Sequence, residues 1–260
     1  MEISGHRSLV TGAAAVICAA VAEDLAAAGA HVICVDVDLE GAKNTASSIS
    51  GTAVGVDLSD PAAISAMYAE LSEAPRIIVN CAGRNIAEKT ATPDAIHDPS
   101  RFAAIISLNL TGTFLVAAHG AHHMMALEPV NADGLRGVII NTASVAGYEG
   151  REGQAAYASS KAGVIGLTLP MARDLGRYGI RVVALAPGPT DTPMIAGLQG
   201  LARDTMANDT PFPKRFAKPQ EYAAMVRAAI GADFLNGTTV RLDGGLRMHA
   251  SNPAFAADDP

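Results

Sequence analysis

The sequence predicts a single α/β domain built on a doubly wound, parallel, seven-stranded sheet. Two observations carry this expectation. Short Val/Ile/Leu-rich runs alternate with Ala-rich helical stretches from residue 7 onward, the pattern of βα units laid side by side. At 260 residues, with 49% hydrophobic and 17% charged content, the chain has the apolar mass for one sheet covered on both faces.

Taken in order, the first strand reads Arg7 to Thr11, a helix near 17–28 stops at Gly29, and a second strand occupies 31–35. Further strands fall near 53–56, 76–80, 137–141, 181–186 and 238–242, with long helices near 100–126 and 155–178 among the later ones. Segments 84–99 and 187–219 carry prolines and no periodic pattern. The second follows a strand's carboxyl end, where open α/β sheets place their ligand crevice, and is the predicted substrate lid of the single domain 1–260.

A formal charge of −7 argues against a surface that tracks nucleic-acid phosphates or an anionic membrane, so small-molecule partners are expected. No contiguous apolar run approaches the roughly eighteen residues of a membrane span, and residues 1–7 show no export signal. A cytoplasmic protein is expected. Cys18, Cys34 and Cys81 lack metal-type spacing and read as reduced, buried thiols. His119, His122 and His123 have a helical spacing that suits a metal, but no acidic ligand accompanies them; packing is preferred and no metal is predicted.

Thr11-Gly12 closes the first strand and opens a helix, and Asp36 closes the second, the arrangement of a Rossmann-type dinucleotide site. A carboxylate at Asp36 accepts from ribose hydroxyls and repels a 2′-phosphate, which favours NAD over NADP. The alternative is that Asp36 only caps the helix beginning near Leu39. Asp57-Leu58 and Asn80-Cys81-Ala82-Gly83 follow the next two strands and so share the same sheet edge. Asp57 is placed to receive the adenine amino group and Ala82-Gly83 to let backbone pass close to the adenosine; simple turn chemistry is the alternative for both.

Tyr157 and Lys161 lie four residues apart, neighbours on one helical face. Ser144 ends the preceding strand and Asn109 lies on the other long helix, so four polar groups converge on the nucleotide edge. Taking an alcohol proton while hydride leaves needs a base whose free pKa near ten must fall. Lys161 and a cationic nicotinamide ring are expected to lower that of Tyr157, with Ser144 holding the substrate oxygen and Asn109 anchoring a relay water.

These residues, with Pro187-Gly188, Thr192 and Asp243-Gly244-Gly245, resemble the short-chain dehydrogenase/reductase family over nearly the whole chain. The resemblance implies a catalytic tetrad of Ser144, Tyr157, Lys161 and Asn109. It puts Gly12, Ile17, Asp36, Asp57, Leu58, Asn80, Ala82, Gly83, Pro187, Gly188, Thr190 and Thr192 with Tyr157 and Lys161 on NAD. It implies self-association as a homotetramer or homodimer through the two long helices. Stretches such as 136–144, 153–157 and 234–248 are most similar to the type-2 3-hydroxyacyl-CoA dehydrogenase subgroup, which also oxidises hydroxysteroids. Arg151 stands where that subgroup is expected to carry Gln, and reads either as a substrate-facing cation, beside Ser144 and Tyr157, or as a solvated loop residue.

The glycine motif departs from the family pattern: Thr11-Gly12-Ala13-Ala14-Ala15-Val16-Ile17-Cys18 keeps only the first of its three glycines. A Val16 forced to positive φ, or bulk at the pyrophosphate, would weaken or abolish NAD binding. Three readings follow. The preferred one is an NAD-dependent dehydrogenase of secondary alcohols; the others are a non-redox enzyme using Tyr157 and Lys161 for acid/base chemistry, and a silent binding module.

Overall fold

The computed structural model describes residues 1–192 and 207–251. Seven strands form one all-parallel sheet in the order β3-β2-β1-β4-β5-β6-β7. They are β1 (Arg7–Thr11), β2 (His31–Asp36), β3 (Thr52–Gly55), β4 (Ile77–Asn80), β5 (Gly137–Thr142), β6 (Ile180–Pro187) and β7 (Thr239–Leu242). Each lies within two residues of its sequence-based position.

The helices start where the sequence supplies caps. Asp38, Asp60 and Asp98 accept backbone N–H groups at the heads of α2 (Leu39–Ser48), α3 (Pro61–Glu70) and α4 (Pro99–Ile106), the last two with proline in the first turn. α1 (Val16–Ala27) ends at Gly29, whose φ of +91° lets Ala30 N–H reach Leu25 O at 3.0 Å. The predicted 100–126 helix is α4, a π-helical turn at Ser107–Gly112, and α5 (Thr113–Met124). That turn was not foreseen, and it carries Asn109. α6 (Ala155–Gly176) and α7 (Pro219–Gly231) complete the set among the described residues that flanks the sheet.

Two apolar layers cover the sheet. Val21 and Leu25 of α1 pack with Tyr222, Val226 and Ile230 of α7 on one face; Ile64, Tyr68, Val116, Met124 and Met171 of α3, α5 and α6 pack on the other. Within the continuous helical stretch Pro99–Met124 an 18-residue window has a mean hydropathy of 1.6, long and apolar enough to cross a membrane by length and composition alone. Its inner residues Val116, Ala117, Ala121 and Met124 are instead buried against the sheet. Strand order reverses between β1 and β4, so Thr11 and Asn80 pair at the carboxyl edge with a crevice between the loops that follow.

Candidate active site

The crevice has a volume of about 1060 Å3 and is lined by Gly12, Ala14, Cys18, Asp36, Asp57, Leu58, Ala82 and Gly83, among others. Gly12 at φ +77° is required: a Cβ there would lie 2.9 Å from Ala82 Cα. Thr11 Oγ1 fastens the two loops together by accepting the N–H groups of Cys81 and Ala82, both at 3.1 Å. The Asp36 carboxylate is fixed by Ala14 N–H and Asp38 N–H, each at 3.0 Å, and keeps lone pairs facing the crevice it lines. The helix-cap alternative for Asp36 falls, because Asp38 is the cap of α2. Asp57 takes the N–H and hydroxyl of Ser59 at 2.8 and 2.7 Å, bonds that hold its carboxyl below the usual range.

Two predicted cofactor contacts are corrected. Ile17 packs its side chain against the apolar layer under α1 and is not among the residues lining the crevice. Asn80 is buried and donates to Asn141 Oδ1 at 2.9 Å and Thr113 O at 3.3 Å, so it braces β4 against β5 and α5 from below. The strain feared at Val16 does not arise either. Val16 opens α1 with no positive φ, and its side chain is 43% exposed. Cys18 is buried at the crevice floor; its thiol donates to Cys81, which with burial keeps it protonated.

The residues predicted for catalysis on β5 and α6 come together just past the end of β5 and in the first turns of α6. Ser144 Oγ accepts Ala146 N–H at 3.1 Å, and its own proton is directed to the Tyr157 phenol oxygen. Lys161 is 3% exposed and donates to Thr142 O at 2.7 Å. Burial lowers its ammonium pKa to about 8. In the protein without cofactor, burial raises the Tyr157 phenol's pKa, and the opposing influence is a hydrogen bond from Ser144 rather than the charge of Lys161. The ammonium sits 5.9 Å from the Tyr157 ring centroid and is turned toward the Thr142 carbonyl.

The Asn109 side chain braces the loop that carries Arg84. Its Oδ1 accepts Arg84 N–H and its Nδ2 donates to Arg84 O, both at 2.9 Å, with Ser160 Oγ at 3.0 Å as a second acceptor. Gly83 lets these groups close in: a Cβ there would lie 3.2 Å from Asn109 Oδ1 and 3.4 Å from Lys161 Nζ. Thr142, Arg84 and Ser160 were missed by the sequence reading. Nothing in the sequence marked them: Thr142 acts through its backbone carbonyl and Arg84 through its backbone N–H and carbonyl.

Pro187 and Gly188 end β6, with Gly188 packed on Asp243, where a Cβ would lie 3.0 Å from its Cα. Thr190 is buried and donates to Gly188 O at 3.2 Å, so its hydroxyl supports the loop. Thr192 is the last described residue before 193–206, so the central part of the predicted 187–219 lid lies outside the described residues. Arg151, offered as a solvated loop residue or a substrate cation, is buried. Among the described residues no group of three or more His, Cys, Asp or Glu could hold a metal.

A dinucleotide fits this crevice: Gly12 gives close backbone approach, Val16 stays in ordinary helical conformation off the lining, and Asp36 and Asp57 are held at successive strand ends. Residues 7–200 match the family model of short chain dehydrogenases. The chain is 43% identical over 248 residues to 3-hydroxyacyl-CoA dehydrogenase type-2 of Drosophila melanogaster, covering 93% of this chain and 97% of that one. To the human protein of that name it is 39% identical over 254 residues, covering 95% and 97%. The crystal structure of 3-hydroxyacyl-CoA dehydrogenase type-2 from Mycobacterium avium superposes with a TM-score of 0.89 at 34% identity, covering 95% of this chain and 98% of that one.

Proposed function

This chain belongs to the short-chain dehydrogenase family, and from that premise we propose that it interconverts a secondary alcohol and a ketone with NAD(H). The substrate is 3-hydroxyacyl-CoA-like or steroid-like. The observation that carries the reading is the meeting of Ser144, Tyr157 and Lys161 behind Gly83, which lines the same crevice as Asp36. NAD is preferred to NADP because the Asp36 carboxylate, pinned by two backbone N–H groups, repels a 2′-phosphate.

Bound NAD supplies the hydride acceptor for oxidation, and NADH the donor for reduction. Tyr157 gives its Oη proton to the substrate oxygen during reduction and takes it back during oxidation. Ser144 turns its hydroxyl proton from the Tyr157 phenol to that same oxygen and fixes its position. Lys161, anchored on Thr142 O, keeps further N–H donors for a ribose hydroxyl and holds positive charge beside the site. Asn109 holds the Arg84 backbone and Ser160, which keeps the Gly83 loop at its distance from Lys161.

Outward Phe102 and Phe114 on the first long helical stretch and Leu169 on α6 support self-association as a homotetramer or homodimer. A cytoplasmic location and small-molecule partners complete the proposal. The test is titration of NAD(H) into the purified protein by fluorescence, alongside Val16→Gly/Cys18→Gly. Saturable micromolar binding by the wild type supports the dehydrogenase. Binding that appears only with glycine restored overturns it in favour of non-redox acid/base chemistry at Tyr157 and Lys161.

A further inference from the structure

Arg151 is a buried cation that makes no ion pair or side-chain hydrogen bond among the described residues. It is 9% exposed, and its Nε is buried with no hydrogen-bond partner. Its backbone is firmly placed: Arg151 N–H donates to Gln154 Oε1 at 3.0 Å, and Gln154 N–H donates to Arg151 O at 3.1 Å. This turn leads directly into α6, where Tyr157 stands six residues on.

The carboxylates around it are committed elsewhere. Glu149 takes both ends of the Arg241 guanidinium at 2.8 and 3.1 Å, and Glu152 lies 3.2 Å from Lys89. Asp209 exerts a favourable electrostatic pull on Arg151 and lies 3.4 Å from His249, and among the described residues no ion pair with Arg151 forms within 4.0 Å. Among the described residues no hydrogen bond reaches the guanidinium. A buried guanidinium left in this state is costly unless something anionic arrives to meet it.

A second, independent feature points the same way. The first turn of α6 has no side-chain cap and no acidic residue, so the positive end of a 22-residue helix is uncompensated beside the same turn. Both features lie within one short stretch of chain that leads into the helical turn carrying Tyr157.

We propose that Arg151 receives a carboxylate on the substrate, so that the preferred alcohol or ketone carries a free carboxylate on its acyl portion. The inference rests on the dehydrogenase reading for the identity of the reacting group. A carboxylate is chosen over a phosphate because one guanidinium fork matches one planar, singly charged group, and the neighbouring cations Lys89 and Arg241 are already paired with Glu152 and Glu149.

The test compares NADH-dependent reduction of keto acids of increasing length, beginning with acetoacetate and levulinate, with their methyl esters. It uses wild-type protein, Arg151→Gln and Arg151→Lys. For the best length, the wild-type ratio of kcat/KM for acid over ester is expected on the order of 10², collapsing at least tenfold in Arg151→Gln and less in Arg151→Lys. A ratio near one at every length, or one that Arg151→Gln leaves in place, overturns the proposal. Calorimetric titration with glutarate separates this from a failure of the dehydrogenase reading. Should no ketone be reduced, glutarate binding that is lost in Arg151→Gln still supports the anion site, and no binding to the wild type sinks it.

Discussion

Lys161 is expected to make the protein's stability rise with pH, because its ammonium is held in a place that penalises charge. Burial sets its pKa at about 8 against an ordinary 10.5, while its Nζ donates to Thr142 O at 2.7 Å. Below pH 8 both the folded and the unfolded chain carry the proton and the burial cost is felt in full. Between pH 8 and 10.5 the unfolded chain binds a proton that the folded chain lacks, so the free energy of unfolding climbs by about 1.4 kcal/mol per pH unit. Across that window the climb amounts to ~3 kcal/mol, a large share of a domain's typical margin of about 5–15 kcal/mol. The comparison is with Lys161→Met, which fills the same space without charge. Its loss of the bond to Thr142 O shifts stability by a pH-independent amount of about 1–3 kcal/mol. The slope is therefore diagnostic and the offset is not. Guanidinium denaturation followed by circular dichroism from pH 7 to 10.5 should show the wild-type minus variant difference rising by ~3 kcal/mol. A difference that stays flat would refute the argument that burial dominates at this lysine.

Two further outcomes follow from the site. Tyr157→Phe should lower ketone reduction by roughly 10²–10⁴-fold while leaving NADH affinity within a few-fold by fluorescence titration; unchanged turnover would remove Tyr157 from the chemistry. Asp36→Ser should weaken NAD binding by about tenfold or more and narrow the preference over NADP, since it removes the carboxylate repulsion; an unaltered NAD/NADP ratio by calorimetry would show that Asp36 does not read the ribose.

The sheet was legible because its signal is local. Runs such as the Val138-Ile139-Ile140 core of β5 are apolar at every position, as strands covered on both faces must be, and Gly29 and the capping aspartates punctuate them. The identities of the tetrad were legible for the same reason: Tyr157 and Lys161 are one helical turn apart in sequence as in space. What the sequence did not carry was the direction of each side chain's commitment. Asn80 and Asn109 belong to family motifs, yet the burial of both turns their amides to backbone and neighbouring side chains. The π-helical turn that puts Asn109 there depends on close packing at Gly112, where a Cβ would meet Leu58 O at 2.3 Å, a contact between residues far apart in the chain.

The sign of the Tyr157 shift shows why motif identity and electrostatic role separate. Proximity of an ammonium in sequence argues for a depressed phenol pKa, but the interaction that decides is the one the ammonium actually makes. Lys161 spends its short contact on Thr142 O, and the phenol, itself buried, is left with Ser144 as the group that favours its ionisation. The folded protein alone therefore stores a proton on Tyr157, which suits it to act first as an acid toward a ketone. Acting as a base toward an alcohol requires added positive charge near the phenol, which an oxidised nicotinamide brings and a reduced one does not. On this reasoning the protein's own residues set the resting proton, and the redox state of the cofactor selects the direction in which Tyr157 uses it.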